Sequence, residues 1–200
     1  MPGPIAALRD PDLETEVAAL YSSELAYHNF RHALDTLDAA DEITRKCVDE
    51  GIRVDAEVVY YALLFHDAGF LDDHDALGFA TKEAYAADLA AKNLARRGVA
   101  RSTIDKVVAA ILSTHKDASF VTTEQKAVRA ADLNLKAEYE MLNGKRLDWS
   151  QWVANVSATI RFYLSQEIRL TTYFSDGNGH SRFHNAVRAN LDRLIAEARS

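Results

Sequence analysis

The chain has 200 residues and a mass of 22.2 kDa, one domain's worth of material. Hydrophobic residues make up 48% and charged residues 26%, enough for a sizeable core under a solvated surface, which excludes wholesale disorder. Thirty acidic residues against 23 Lys and Arg leave a formal net charge of -7, which argues against broad binding to a nucleic-acid polymer or an anionic membrane, though not against a local basic pocket.

Cys47 is the single cysteine, so neither an intrachain disulfide nor a thiolate zinc cluster can form. Residues 1–13 lack the basic start and apolar run of a signal peptide. The longest apolar run, Val58 to Phe65, is too short to span a bilayer. These features predict a cytoplasmic protein.

Helical punctuation dominates. The three prolines (Pro2, Pro4 and Pro11) precede the first long periodic segment, and no stretch alternates with period two. Periodicity predicts helices over 12–25, 30–50, 55–67, 81–97, 102–116, 123–139, 149–165 and 181–198. Asp55, Ser102 and Thr123 are expected to cap helix starts, and Gly51 and Gly98 to end helices in the left-handed conformation. In the second helix His32 falls nearly opposite the Phe30, Leu34, Leu37 stripe, so that helix is expected to bury two faces, Ala39, Ile43 and Cys47 lining the other. The fifth shows a stripe of Ile104, Val107, Val108, Ile111 and Leu112, which His115 is expected to extend inward. The break at Ser175-Asp176-Gly177-Asn178-Gly179 sets off a last helix rather than a second domain. The expectation is a single all-α domain over 1–200, with 1–11 as an N-terminal extension and 175–200 as a loop and helix packed on it.

The histidines are placed non-randomly. His28 and His32 lie four apart, so their side chains point the same way about 6 Å apart. His66 and Asp67 follow the apolar run, and Asp132 points to the apolar side of its helix. A buried carboxylate is costly unless it is paired or bound to a metal. With few inward Lys or Arg in the pattern, a divalent cation would supply the missing charge: two neutral imidazoles and two carboxylates around one such ion sum to zero. Nitrogen and oxygen donors suit Mn, Fe, Zn, Ni or Mg without choosing among them. Against this stands the plainer reading, that an inward histidine is more often a hydrogen-bonded core residue than a ligand.

The run Tyr27-His28-Asn29-Phe30-Arg31-His32, then Phe65-His66-Asp67-Ala68-Gly69-Phe70, then Ala131-Asp132-Leu133, resembles the HD superfamily of metal-dependent phosphohydrolases. The Y-H-N-x-x-H opening is similar to cyclic-nucleotide phosphodiesterases and to a group of small bacterial HD phosphohydrolases. Weaker similarity to the latter extends through Lys82-Glu83, Leu135 to Tyr139, Gly144-Lys145-Arg146 and Asn185 to Leu191. The resemblance implies an HD-type bundle of about eight helices, with His32, His66, Asp67 and Asp132 as metal ligands. It implies His28 as the acid that protonates the leaving oxygen, with Asn29 supporting that corner. Asp67 would also match the carboxylate that bridges to a second ion in binuclear members. His74 comes too soon after Asp67, and His115 too late, to match the two further histidines of those members. Phe70 stands where small HD nucleotidases carry a glutamate.

The implied activity is hydrolysis of a small, nucleotide-like phosphate ester by water activated on the ion. Lys116 beside His115, and Arg146, are the candidate donors to phosphoryl oxygens; Glu83 is the candidate for orienting water. Each also reads as an ordinary surface residue. His74 reads as part of an exposed acidic loop, and His180 and His184 as capping and surface residues. Two alternatives stand beside hydrolysis: an HD-type di-iron oxygenase, and a non-catalytic domain that binds a metal or a nucleotide. A homodimer through the C-terminal aromatic helices is the one protein partner the pattern suggests.

Overall fold

A computed structural model describes residues 4–25, 28–49 and 51–142, and of 46 and 133–142 only the backbone. The described residues are all-α: a short 3-10 turn (Ala6–Leu8), then α1 (Pro11–Ala18), α2 (Phe30–Asp49), α3 (Ala56–Phe65), α4 (Lys82–Arg96), α5 (Arg101–Leu112) and α6 (Thr123–Leu142), with no strand. The two last expected helices, the 175–179 break, Arg146, His180 and His184 lie outside the described residues. The chain divides into two compact units, Met1–Asp132 and Leu133–Ser200. Among the described residues no helix is long and apolar enough to cross a membrane.

The apolar run becomes the centre of the first unit. In α3, Val58, Val59, Tyr60, Ala62, Leu63, Leu64 and Phe65 are all buried, and the helix packs against α1, α2, α4 and α5. A helix apolar on every side has to be surrounded, and each of its larger side chains contributes about 1.5–3 kcal/mol by leaving water. Its start is fixed by Asp55, whose side chain accepts from the Val58 amide. Asp10 caps α1 just before Pro11, and Thr81 caps α4. Ile5 is buried as well, its amide donating to Asp41 Oδ1 at 2.8 Å.

Several boundaries differ from the sequence expectation. The first helix stops at Ala18 rather than continuing to Leu25, because the Leu20 carbonyl turns away to accept from the Gly69 amide and the Tyr21 hydroxyl donates to the Leu64 carbonyl. The cap of α6 is Thr122, whose hydroxyl accepts from the Gln125 amide; Thr123 is the first helical residue. Ser102 lies inside α5, which starts after Ala100 with no side-chain cap. That helix ends at Leu112, four residues early, because the buried guanidinium of Arg129 takes up the carbonyls of Ser113, Thr114, His115 and Lys116. His115 therefore does not extend the inward stripe. It sits half-buried in a turn, with Nδ1 accepting from the Asp117 amide, and Leu112 is exposed.

Gly51 and Gly98 do end helices at positive φ, 70° and 76°. Gly69 is more constrained. Its φ is 70°, and a Cβ there would press into Tyr85 Cε1 and lie 3.0 Å from Leu89 Cδ1, both side chains of α4. Gly51→Ala should therefore cost only the left-handed backbone penalty, about 1–2 kcal/mol. Gly69→Ala should cost that plus about 1–3 kcal/mol of overpacking. Urea denaturation of the two variants checks this; equal losses would contradict the close approach to α4.

Candidate metal centre

Three elements bring the predicted residues together. Asn29 stands immediately before α2 and holds its first turn: the side-chain oxygen accepts from the His32 amide at 3.0 Å and the side-chain nitrogen donates to the Leu25 carbonyl at 2.8 Å. His32 then lies at the edge of a buried face that runs through Ala33, Thr36, Leu37, Ala40, Ile43, Thr44 and Cys47. This corrects the two-face expectation for that helix: Phe30, Leu34 and Ala39 are only half-buried, and one continuous face includes the histidine. His66 and Asp67 follow the C-terminal end of α3. Asp132 comes from α6, after the buried residues Val128 and Ala131.

His32 Nε2 and His66 Nε2 are 3.4 Å apart, and Asp132 Oδ1 lies 3.5 Å from the first and 3.8 Å from the second. These three residues form a group that could hold a metal ion. A point equidistant from atoms so spaced lies about 2.1 Å from each, the ordinary bond length from a first-row divalent cation to imidazole nitrogen or carboxylate oxygen. The donor set fits such an ion. His66 Nδ1 faces the Leu63 carbonyl at 2.8 Å, which keeps the proton on that nitrogen and directs Nε2 to the centre. Asp67, the fourth expected ligand, is not part of the mutually close triplet. Its Oδ2 nevertheless lies 3.2 Å from His66 Nε2, 3.7 Å from His32 Nε2 and 2.8 Å from His28 Nδ1.

Within the pocket the carboxylates and imidazoles act strongly on one another. Burial by itself would lower the pKa of His66, but the Asp67 and Asp132 carboxylates outweigh it and push it up to about 9. Burial opposes ionisation of Asp67, yet His66 and His28 hold its pKa well below the usual carboxylate range. At Asp132 burial is likewise outweighed by His32 and His66, and its pKa is lowered. Burial and the Asp67 charge drive the Tyr21 hydroxyl upward, so it stays a neutral donor to the Leu64 carbonyl.

Other expected residues fall as follows. Lys116 pairs with Asp117 at 2.7 Å on an exposed turn next to His115. Glu83 is half-buried in the first turn of α4, close enough to Arg129 to act on its charge. His74 stands beside Asp75 in the loop before α4, 3.6 Å away. Sequence reasoning underrated inward cations: Lys126 and Arg129 of α6 are both buried, and Arg129 interacts electrostatically with Asp132, Glu83 and Asp117. It also missed an aromatic stack. Phe70 lies on the His28 ring with centroids 4.0 Å apart and planes 12° from parallel, and Lys82 Nζ sits 3.7 Å from the Phe70 centroid. The signal was present, since Phe70 interrupts the expected glutamate position, but its contact with His28 joins segments 42 positions apart.

No protein-family model, curated protein or solved structure matches the chain.

The pH dependence of the cation-free chain follows from these shifts. His66 has a raised folded pKa, so its contribution is fully present below about 6.5 and is lost as pH rises through 9. Asp67 and Asp132 have depressed values, so theirs is present above the ordinary carboxylate pKa of about 4 and is lost in acid. Chemical denaturation in chelator should show stability declining between about pH 6.5 and 9. Added Mn²⁺ should abolish that decline, because the ion replaces the proton on His66 and binds more tightly as pH rises. A decline unchanged by the ion would contradict His66 as a ligand.

Proposed function

We propose that the chain is a metal-dependent phosphohydrolase of HD type that cleaves a phosphate ester of a small, nucleotide-like molecule. The observation that carries the reading is the buried triangle of His32 Nε2, His66 Nε2 and Asp132 Oδ1, sized for one divalent cation, with Asp67 against both imidazoles and His28 hydrogen-bonded to Asp67. The H…HD…D order and the all-α fold support the same reading. A divalent ion held there would polarise a phosphoryl oxygen and lower the pKa of water, with Mn, Fe, Mg, Zn and Ni all compatible with the donors.

The roles of the chain's own groups follow. His32, His66 and Asp132 would hold the ion, and Asp67 adds a carboxylate beside them and orients His28 through Nδ1. Water adds its oxygen to phosphorus and releases a proton to solvent. The P–O bond to the leaving group breaks with its electron pair on oxygen, and that oxygen takes a proton from His28, which solvent then restores. Glu83 is the proposed group for orienting the water, and Asn29, His115 and Lys116 are proposed to face the substrate; Arg146, the fourth expected group, lies outside the described residues. A cytoplasmic location and a homodimer belong to the same proposal.

Purified protein supplied with Mn²⁺ should hydrolyse p-nitrophenyl phosphate or a nucleotide and carry about one ion per chain by elemental analysis. Asp132→Ala and His66→Ala should lose the ion together with turnover. His28→Ala should keep the ion and lose about 10²–10⁴-fold in turnover of alkyl esters. Full turnover in metal-free Asp132→Ala would defeat the mechanism. A tightly held ion with no turnover across monoesters and diesters would make this a binding domain, and two irons per chain would point to oxygenase chemistry.

A further inference from the structure

Two of the contacts on the His28 ring act on different degrees of freedom. The hydrogen bond between Nδ1 and Asp67 Oδ2, 2.8 Å long, acts at the edge of the imidazole and fixes which edge faces the carboxylate. By itself that bond does not stop the ring rolling about the line of the bond; His32, edge-on with ring centroids 6.2 Å apart, touches the ring as well. Phe70 acts on the face: its ring lies 12° from parallel at a centroid distance of 4.0 Å, which opposes that roll. Lys82 Nζ, 3.7 Å from the same Phe70 centroid, must occupy the other face, since the imidazole already fills the first. The order is ammonium, phenyl, imidazole.

The backbone supports this stack from below. Phe70 follows Gly69, where Tyr85 and Leu89 of α4 leave no room for a Cβ and whose amide is tied to the Leu20 carbonyl. Lys82 begins α4, capped by Thr81. The turn carrying Asp67 and Phe70 is thus seated on one wall, so the edge anchor and the face anchor of His28 move together.

We propose that Phe70 is a positioning residue that sets the plane of His28, so that the edge bearing Nε2 is presented to the leaving oxygen of the ester. Resting on the hydrolytic reading for its catalytic consequence, it explains why an aromatic ring stands where a carboxylate was expected: a carboxylate would add charge beside Asp67, whereas a phenyl face orients the imidazole without competing for the ion. As the P–O bond breaks, the electron pair goes to the leaving oxygen and the proton comes from His28 Nε2. A misaligned ring slows that transfer only where the leaving oxygen needs a proton.

The test has one arm independent of turnover. In the full-length protein, NMR should show the His28 ring protons shifted upfield by the Phe70 ring current, and Phe70→Leu should remove that shift while Phe70→Tyr keeps it. Unshifted His28 protons in the unaltered protein overturn the proposal whatever the activity. In the second arm, Phe70→Leu should lower kcat about ten-fold or more on a nucleoside monophosphate, whose alkoxide needs a proton, and less than about three-fold on p-nitrophenyl phosphate. KM and bound Mn²⁺ should stay unchanged, Phe70→Tyr should restore the alkyl-ester rate, and adding Phe70→Leu to His28→Ala should cost nothing further. Equal losses on both esters, or loss of the metal, overturn the positioning role. A shifted His28 ring with no turnover of any ester supports the orientation and overturns the hydrolytic reading instead.

Discussion

Carboxylates and imidazoles crowded into one buried pocket are stable only if the charges sum close to zero, and this requirement organises the protein. Asp67 comes from the turn after α3 and Asp132 from α6, and both approach the same two imidazoles. A proton on His66, whose pKa the two carboxylates push up to about 9, offsets one of their two charges. A divalent ion performs the same neutralisation with more charge and directional bonds, and the spacing of the three donor atoms suits one. The proton and the ion are therefore alternatives at one place.

The backbone around the pocket is arranged so that these groups cannot separate cheaply. Asn29 stitches the start of α2, Tyr21 ties the segment after α1 to the Leu64 carbonyl, and Gly69 brings the turn after α3 against α4. Each of these contacts lies within a few residues of a site group. Arg129 has a comparable role on the far helix. Its guanidinium gathers the carbonyls beyond α5 one turn before Asp132, so the same side chain stops a helix and contributes positive charge near the pocket.

Much of this was legible in the residues. The period of the apolar positions predicted each described helix, and the run ending in His66-Asp67 marked the central one because nothing polar interrupts it on any face. Asp132 was legible because it occupies an apolar-facing position. Boundaries were less so: α1 and α5 stop where tertiary hydrogen bonds take their carbonyls or redirect their side chains, and a periodicity argument continues past such points. His32 looked misplaced on the wheel only because Phe30 and Leu34 were given more weight than the small residues Ala33, Thr36 and Ala40, which pack more tightly.

The sequence by itself determined the helical class and the central apolar helix and put His32, His66 and Asp132 among the candidate ligands, since helix class and facing depend on side-chain chemistry and on a period of 3.6 residues. Tertiary structure alone decided which donors lie within bonding range of one another, that Arg129 and Lys126 turn inward, and that Phe70 lies between Lys82 and His28. The reason is physical: local pattern specifies which way a side chain points on its own helix, but separations of a few ångströms between residues far apart in the chain are set by how whole helices pack.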